Sequence, residues 1–237
     1  LDEESIITAL LHDTVEDCDV TLDTLDSEFG GDVAQLVDGV TKLSRLAIKT
    51  LPSSAQAENF RKLLLAMSED VRVLLVKLAD RTHNMRTLSF IPKPEKQIRI
   101  ARETMDIYAP LAERIGLTQI QNELEESAFE VLHGEMRQSI LTRLEFLTSE
   151  AKITIPTISV ELEATLERIG IECSVTGRLK SPYSIWRKMQ NKAVTMEQLA
   201  DIVAFRILVP SSEDCYRALG QLHPVSYTHL TLPTKRI

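Results

Sequence analysis

Apolar positions through the first two thirds of the chain recur at helical spacing. Ile6, Ile7, Leu10, Leu11 and Val15 form one apolar side over residues 3–15, which predicts a helix there. Leu22, Leu25 and Phe29 predict a second helix before the Gly30-Gly31 break, with Thr24 or Ser27 as candidate caps. Val33, Leu36 and Val37 continue a third. Residues 56–88 carry a long helical pattern interrupted near Ser68-Glu69-Asp70. The two prolines in 91–97 predict a loop, and helices are predicted over 98–113 and 119–147, parted by Gly116. No stretch up to about residue 150 reads as a strand.

The pattern then changes. Residues 152–160, KITIPTISV, start with a β-branched run, and a helix is predicted from about 158 to 168. Residues 171–180 alternate as a strand does, 181–194 read as a helix, and 197–209 as a helix running into an apolar strand. This is α+β order, so a second domain is expected. The division expected is 1–135, all-α with connecting helices, then 136–223. Residues 224–237 hold two prolines and no amphipathic period, and read either as a non-native tail or as a plain surface tail.

Composition narrows the class. The chain has 237 residues, 43% of them hydrophobic and 26% charged, which suits a folded globular protein. It lacks an apolar run long enough for a membrane span, and no signal peptide is visible, so neither a membrane nor a secreted location is expected. Cys18, Cys173 and Cys215 lie far apart, which argues against a disulfide framework and suits the cytoplasm. The chain starts at Leu1, inside a predicted helix, and is read as a fragment. A net charge of −8 disfavours direct DNA binding. Residues 1–41 contain no Lys or Arg, whereas 173–196 contain Arg178, Lys180, Arg187, Lys188 and Lys192 and no acid. One end suits cations and the other suits anions.

The acidic end has a specific set. In LLHDTVEDC, residues 10–18, His12 and Glu16 are four apart, and so are Asp13 and Asp17. On one helix these make two adjacent columns. In KLADRTHNMRTL, Asp80, Asn84 and Thr87 also share a face. If the two faces pack, His12, Asp13 and Asp80 can converge on a cation, and imidazole with carboxylates suits Mn²⁺, Zn²⁺ or Fe²⁺ more than Ca²⁺. Glu16 and Asp17 would then lie where they can orient and deprotonate water. Plainer readings stand beside this. Asp80 could pair with Lys77 or Arg81 on a solvated face, Asn84 could be a surface residue, and Thr87 could simply end the helix. His83 is expected to pack or to stand behind the ligands.

At the basic end, Arg178 and Lys180 point to one face of a strand. Ser181-Pro182 reads as an N-cap and first helical position, Ser184 lies in that first turn, and Lys188 shares its face. A helix start beside cations suits phosphate. Asp201, where a helix meets the apolar strand, suits Mg²⁺. The alternative is a solvated basic face.

LLHDTVEDC, DGVTKLSRL, KLADRTHNMRTL and YAPLAERIGL resemble the hydrolase half of the RelA/SpoT family, and GRLKSPYSIWRKM resembles the start of its synthetase half. The resemblance covers residues 1 to about 223. It implies an all-α HD-type hydrolase domain followed by the start of an α+β nucleotidyltransferase-like synthetase domain. It implies a (p)ppGpp 3′-pyrophosphohydrolase using Mn²⁺ on His12, Asp13 and Asp80, with Glu16 and Asp17 generating the nucleophile and Asn84 and Thr87 touching substrate. It also implies ATP contacts at Arg178, Lys180, Ser184 and Lys188, and Mg²⁺ on Asp201, for pyrophosphoryl transfer from ATP to GDP or GTP. Family members without hydrolase activity lack the His-Asp pair that this chain keeps, which favours a SpoT- or Rel-like member. Two departures follow from the family pattern. The family's first metal histidine and basic nucleotide clamp lie upstream of anything here, and its catalytic glutamate and guanine-stacking tyrosine lie beyond residue 223. Ribosome or regulator contacts belong to a C-terminal region outside this chain. The competing readings are an HD phosphohydrolase for another nucleotide and a guanine-nucleotide-binding regulatory module without turnover.

Overall fold

The computed structural model describes residues 2–48, 70–196, 199 and 202–222. The chain divides into two compact units, Leu1–Gly134 and Glu135–Ile237. Every regular element among the described residues of the first is helical. Helix α1, Glu3–Leu11, starts where the Asp2 carboxylate accepts from the Ser5 amide at 3.0 Å. It does not run to residue 15. It stops at Leu11, and after His12 and Asp13 a single turn, α2, spans Thr14–Asp17. Side chains close the end of α1: Thr14 Oγ1 donates to the Leu11 carbonyl at 2.6 Å, and the His12 ring bonds the Ala9 carbonyl. The columns expected from an unbroken helix are therefore not formed.

Helix α3, Leu22–Phe29, is capped by Thr21, whose hydroxyl accepts from the Thr24 amide at 3.2 Å. Neither Thr24 nor Ser27 is its N-cap. Gly30, at φ +90 and ψ 161, turns the chain into α4, Gly31–Ile48, through a conformation that only glycine enters readily. Helix α5, Val71–Arg86, begins at the cap Asp70, inside the predicted interruption; the preceding part of that pattern lies outside the described residues. After a short 3₁₀ turn, Leu88–Phe90, α6 spans Pro94–Glu103. It begins inside the predicted loop because proline suits the first helical turn. A π-helical turn, Thr104–Tyr108, leads to α7, Ala109–Arg114. Gly116, at φ +78, then precedes α8, Thr118–Leu132.

The main core of this unit joins Leu36, Val40 and Leu43 of α4 to Leu74 and Leu78 of α5, with Tyr108, Leu111 and Leu124 around them. Leu25, Val33 and Val37 form a second cluster, with Ile7, Leu11 and Val15 packed against it. Helix α1 turns a small polar stripe inward. Ser5 and Thr8 are buried, whereas Ile6 and Leu10 of the predicted apolar side are exposed. Small side chains allow close approach, and Gly39 does the same for α4 against α5.

In the second unit, α9 spans Gly134–Glu167 and includes the β-branched run around Pro156 that was expected to break from helix. The tertiary setting overrides local propensity there. Ile155 packs directly over Gly177, where a larger residue would collide with it and with Phe205. Strands β1, Ser174–Leu179, and β2, Val203–Leu208, pair antiparallel from Ser174↔Leu208 to Leu179↔Val203. Helix α10, Pro182–Lys192, lies between them in sequence. Helix α11, Ser212–Leu222, was not anticipated. It contributes Ala218 and Leu222 to a core with Leu166 and Ile171.

A Cβ on Gly39 would come within 2.8 Å of Val73 Cγ2. Gly39→Ala is expected to lose stability, since overpacking costs about 1–3 kcal/mol against a helix-propensity gain of about 1 kcal/mol. Urea unfolding measures it, and a midpoint at or above that of the unaltered chain would show that α4 and α5 do not need this close contact.

Candidate metal centre

Helices α1 and α5 lie side by side and are fixed at two places. At their N-terminal ends, Arg72 Nη1 donates to Asp2 Oδ2 at 2.8 Å and Nη2 to Asp70 Oδ2 at 2.6 Å, tying the two caps together. At the other place, His12 meets Asp80. His12 Nδ1 lies 2.8 Å from the Ala9 carbonyl, which can only accept, so the proton is on Nδ1. Nε2 is left facing Asp13 Oδ2 at 3.1 Å and Asp80 Oδ1 at 3.4 Å. It is buried and makes no aligned hydrogen bond. The three donor atoms lie within 4.8 Å of one another.

A lone pair aimed at two carboxylate oxygens is repelled unless a proton or a cation lies between them. The donors fit a divalent metal on that ground: two hard oxygens and an imidazole whose other nitrogen is anchored to the backbone. Without metal, the arrangement recruits a proton. Contact with the Asp80 carboxylate raises the His12 pKa; burial opposes this, and the Ala9 carbonyl and Asp13 add to the rise. For Asp80, burial pushes the carboxyl up, but His12 and Lys77 outweigh it and bring the pKa down to about 2.

Asp80 is held on both oxygens. Lys77 Nζ is 2.7 Å from Oδ2, and Asn84 Nδ2 donates to Oδ1 at 2.8 Å. The pairing with Lys77 that a plain helix face would give is thus present, but its side chains are only 8% and 10% exposed. Asn84 joins the cluster. Thr87 does not: it ends α5, and its hydroxyl donates to the His83 carbonyl at 3.0 Å. His83 is exposed, so of its two expected roles, packing into the core is not the one it takes. Glu16 and Asp17 are exposed on α2, one turn after the pair, their amides bonded to the Asp13 carbonyl.

Two residues that the sequence suggests as solvated partners of Asp80, Lys77 and Arg81, are buried behind this cluster. Arg81 is buried, pairs with Glu103 at 3.1 Å, and stacks on the Tyr108 ring with its guanidinium carbon 4.0 Å from the centroid. The signal was available: Lys77 and Arg81 interrupt the apolar run VRVLLVKLADR, and a cation in such a run is buried with a partner or marks a turn of the helix to water.

In the second unit, Arg178 is exposed on β1, and the Lys180 amide continues the ladder to the Ile202 carbonyl at 2.9 Å. Ser181 is the N-cap of α10, accepting from the Ser184 amide at 3.3 Å and bonding its hydroxyl at 3.0 Å. Desolvation, then the charges of Lys180 and Lys192, hold the Lys188 ammonium below the ordinary lysine range. Asp201 lies outside the described residues.

Two sequence profiles match the chain in order. Residues 1–118 match the HD domain, and residues 177–232 match the region found in RelA/SpoT proteins. The GTP pyrophosphokinase rsh of Brucella melitensis is 49% identical over 223 residues, 94% of this chain and 30% of that protein. The guanosine-3′,5′-bis(diphosphate) 3′-pyrophosphohydrolase of Vibrio cholerae is 48% identical over 94% of this chain and 31% of its own length. The bifunctional (p)ppGpp synthase/hydrolase SpoT of Escherichia coli is 47% identical over 94% of this chain and 32% of its own. The chain belongs to the RelA/SpoT family. It spans about a third of the length of these relatives. Within the family's frame, the helical first unit is the HD domain, and the small antiparallel sheet lies in the RelA/SpoT region.

The metal-free chain is expected to show a stability window set by this cluster. The lowered Asp80 pKa contributes stability fully above the ordinary value of 3.8, lost as pH falls toward about 2. The raised His12 pKa contributes stability fully below the ordinary value of 6.5, lost as pH rises through the folded value. Thermal unfolding in EDTA across pH 2–9 measures it. Asp80→Asn should flatten both limbs; an unchanged profile would separate the two groups energetically.

Proposed function

We propose that the chain carries the hydrolase core and the beginning of the synthetase of a bifunctional alarmone enzyme, which removes the 3′-pyrophosphate from (p)ppGpp and, in its second half, makes (p)ppGpp from ATP and GDP or GTP. The observation that carries the first activity is His12 Nε2, buried and facing two carboxylates, a donor set that fits a divalent cation. The domains proposed are 1–135 for the hydrolase with connecting helices, 136–223 for the start of the synthetase, and 224–237 as a tail.

His12, Asp13 and Asp80 would hold Mn²⁺, which would supply Lewis acidity there. Glu16 and Asp17, exposed one turn beyond the ligands, accept the proton of the attacking water. Water adds at the phosphorus joined to the ribose 3′ oxygen, that oxygen leaves as a hydroxyl, and pyrophosphate departs with GDP or GTP as the other product. Asn84, bonded to Asp80 at the edge of the cluster, and Thr87 at the end of α5 contact the nucleotide. In the second unit, Arg178, Lys180, Ser184 and Lys188 bind the ATP phosphates beside the α10 N-terminus, and Asp201 would hold Mg²⁺. The Ser181 N-cap, which accepts from the Ser184 amide directly after Lys180, supports this half. The setting proposed is the cytoplasm; no helix among the described residues is long and apolar enough to cross a membrane.

The test is (p)ppGpp hydrolysis with Mn²⁺ by the chain continued upstream as in its relatives, beside Asp13→Ala. Pyrophosphate release is expected from the first and a loss of at least a hundredfold, on the order of 3 kcal/mol in the barrier, from the second. Asp13 is about half exposed, so its removal should leave the fold intact by circular dichroism. Turnover of other nucleotides with none of (p)ppGpp would replace the substrate assignment.

A further inference from the structure

The two oxygens of Asp80 have different neighbours. Oδ1 faces His12 Nε2 and accepts from Asn84, whereas Oδ2 is taken by Lys77 Nζ at 2.7 Å. Lys77 stands three residues before Asp80 on the same face of α5, among the buried residues Leu74, Val76, Leu78 and Arg81. A buried ammonium persists only with a partner, and here the partner is one chosen oxygen of a candidate ligand. Asp13 differs: its side chain is 52% exposed, and its ion pair is with His12 itself.

We infer that Lys77 is a positioning residue of the metal centre: by occupying Asp80 Oδ2 it locks the carboxylate's rotation and presents Oδ1 alone to the cation. The inference rests on the metal-centre reading above and adds a residue to it. The terminal torsion of an aspartate is broad, so a free carboxylate would swing and could offer both oxygens. Lys77 and Asn84, donating one to each oxygen, remove that freedom before metal arrives. The physical argument also contains its own opponent. A positive charge beside a cation site repels the cation, so if charge alone mattered, removing Lys77 would tighten metal binding. If orientation dominates, removing it weakens binding, and partners that orient ligands in this way are typically worth about 10–100-fold in metal affinity. The sign of the change decides.

The measurement is calorimetric titration with Mn²⁺ of the chain continued upstream, as Lys77, Lys77→Met, Lys77→Gln and Lys77→Arg, with apo-state unfolding recorded in EDTA. Lys77→Met is expected to bind Mn²⁺ about 10–100-fold more weakly, Lys77→Gln also more weakly than the unaltered chain, and Lys77→Arg within a few-fold of it. A merely structural lysine would lower apo stability and leave the affinity of the folded protein unchanged, which overturns the inference, as would tighter binding by the Met or Gln chain. Should Lys77→Met fail to fold, the Lys77→Gln affinity decides by the same sign. No Mn²⁺ uptake by the unaltered chain would overturn the metal-centre reading and this inference with it; uptake unaffected by the substitutions would overturn the role of Lys77 alone.

Discussion

The ring of His12 donates from Nδ1 to the Ala9 carbonyl, 2.8 Å away, where α1 stops. That bond does two things at once. It satisfies a carbonyl that the broken helix would otherwise leave unpaired, and it commits the other ring nitrogen to the side where Asp13 and Asp80 lie. The helix break is thus part of the site. An unbroken helix over 3–15 would bond the Ala9 carbonyl to the Asp13 amide and release the His12 ring from this anchor. Thr14 contributes by closing the Leu11 carbonyl in the same way.

The rest of the first unit serves to bring α5 to that nitrogen. Ser5 and Thr8 let α1 lie close, Gly39 lets α4 approach α5, and Arg72 ties the caps Asp2 and Asp70. Behind Asp80 the charges continue inward as Lys77, then Arg81 with Glu103 and Tyr108. Buried charges of this kind contribute little net stability, because desolvation offsets most of their attraction. Their value is in geometry. A carboxylate held on both oxygens cannot reorient when a cation or a nucleotide approaches, and the exposed Asp13, Glu16 and Asp17 can adjust around it. In the second unit the charges of Lys180 and Lys192 act on Lys188, midway along α10.

The candidate ligands His12, Asp13 and Asp80 could be picked out because they stand in segments whose apolar spacing made them helical neighbours of a core. The Ser181-Pro182 start of α10 was legible because capping chemistry is local. What misled was also local. Ile6 and Leu10 read as inward residues, yet Ser5 and Thr8 take that place. The β-branched run before residue 160 read as non-helical, yet it lies in α9, where Ile155 packs over Gly177. In both cases the neighbour that decides the outcome is distant in sequence.

By itself, then, the sequence determined the helical class of the first part, the α+β order of the second, the residue types of both constellations and the separation of acidic from basic ends, since periodicity, capping and charge act within a few residues. The tertiary structure alone decided that α1 breaks at His12, which ring nitrogen is free, that Lys77 and Arg81 are buried, and which oxygen of Asp80 faces the histidine. Those depend on where helices from separate parts of the chain come to rest against each other, and the burial of a charge or the direction of a lone pair has no meaning until they do.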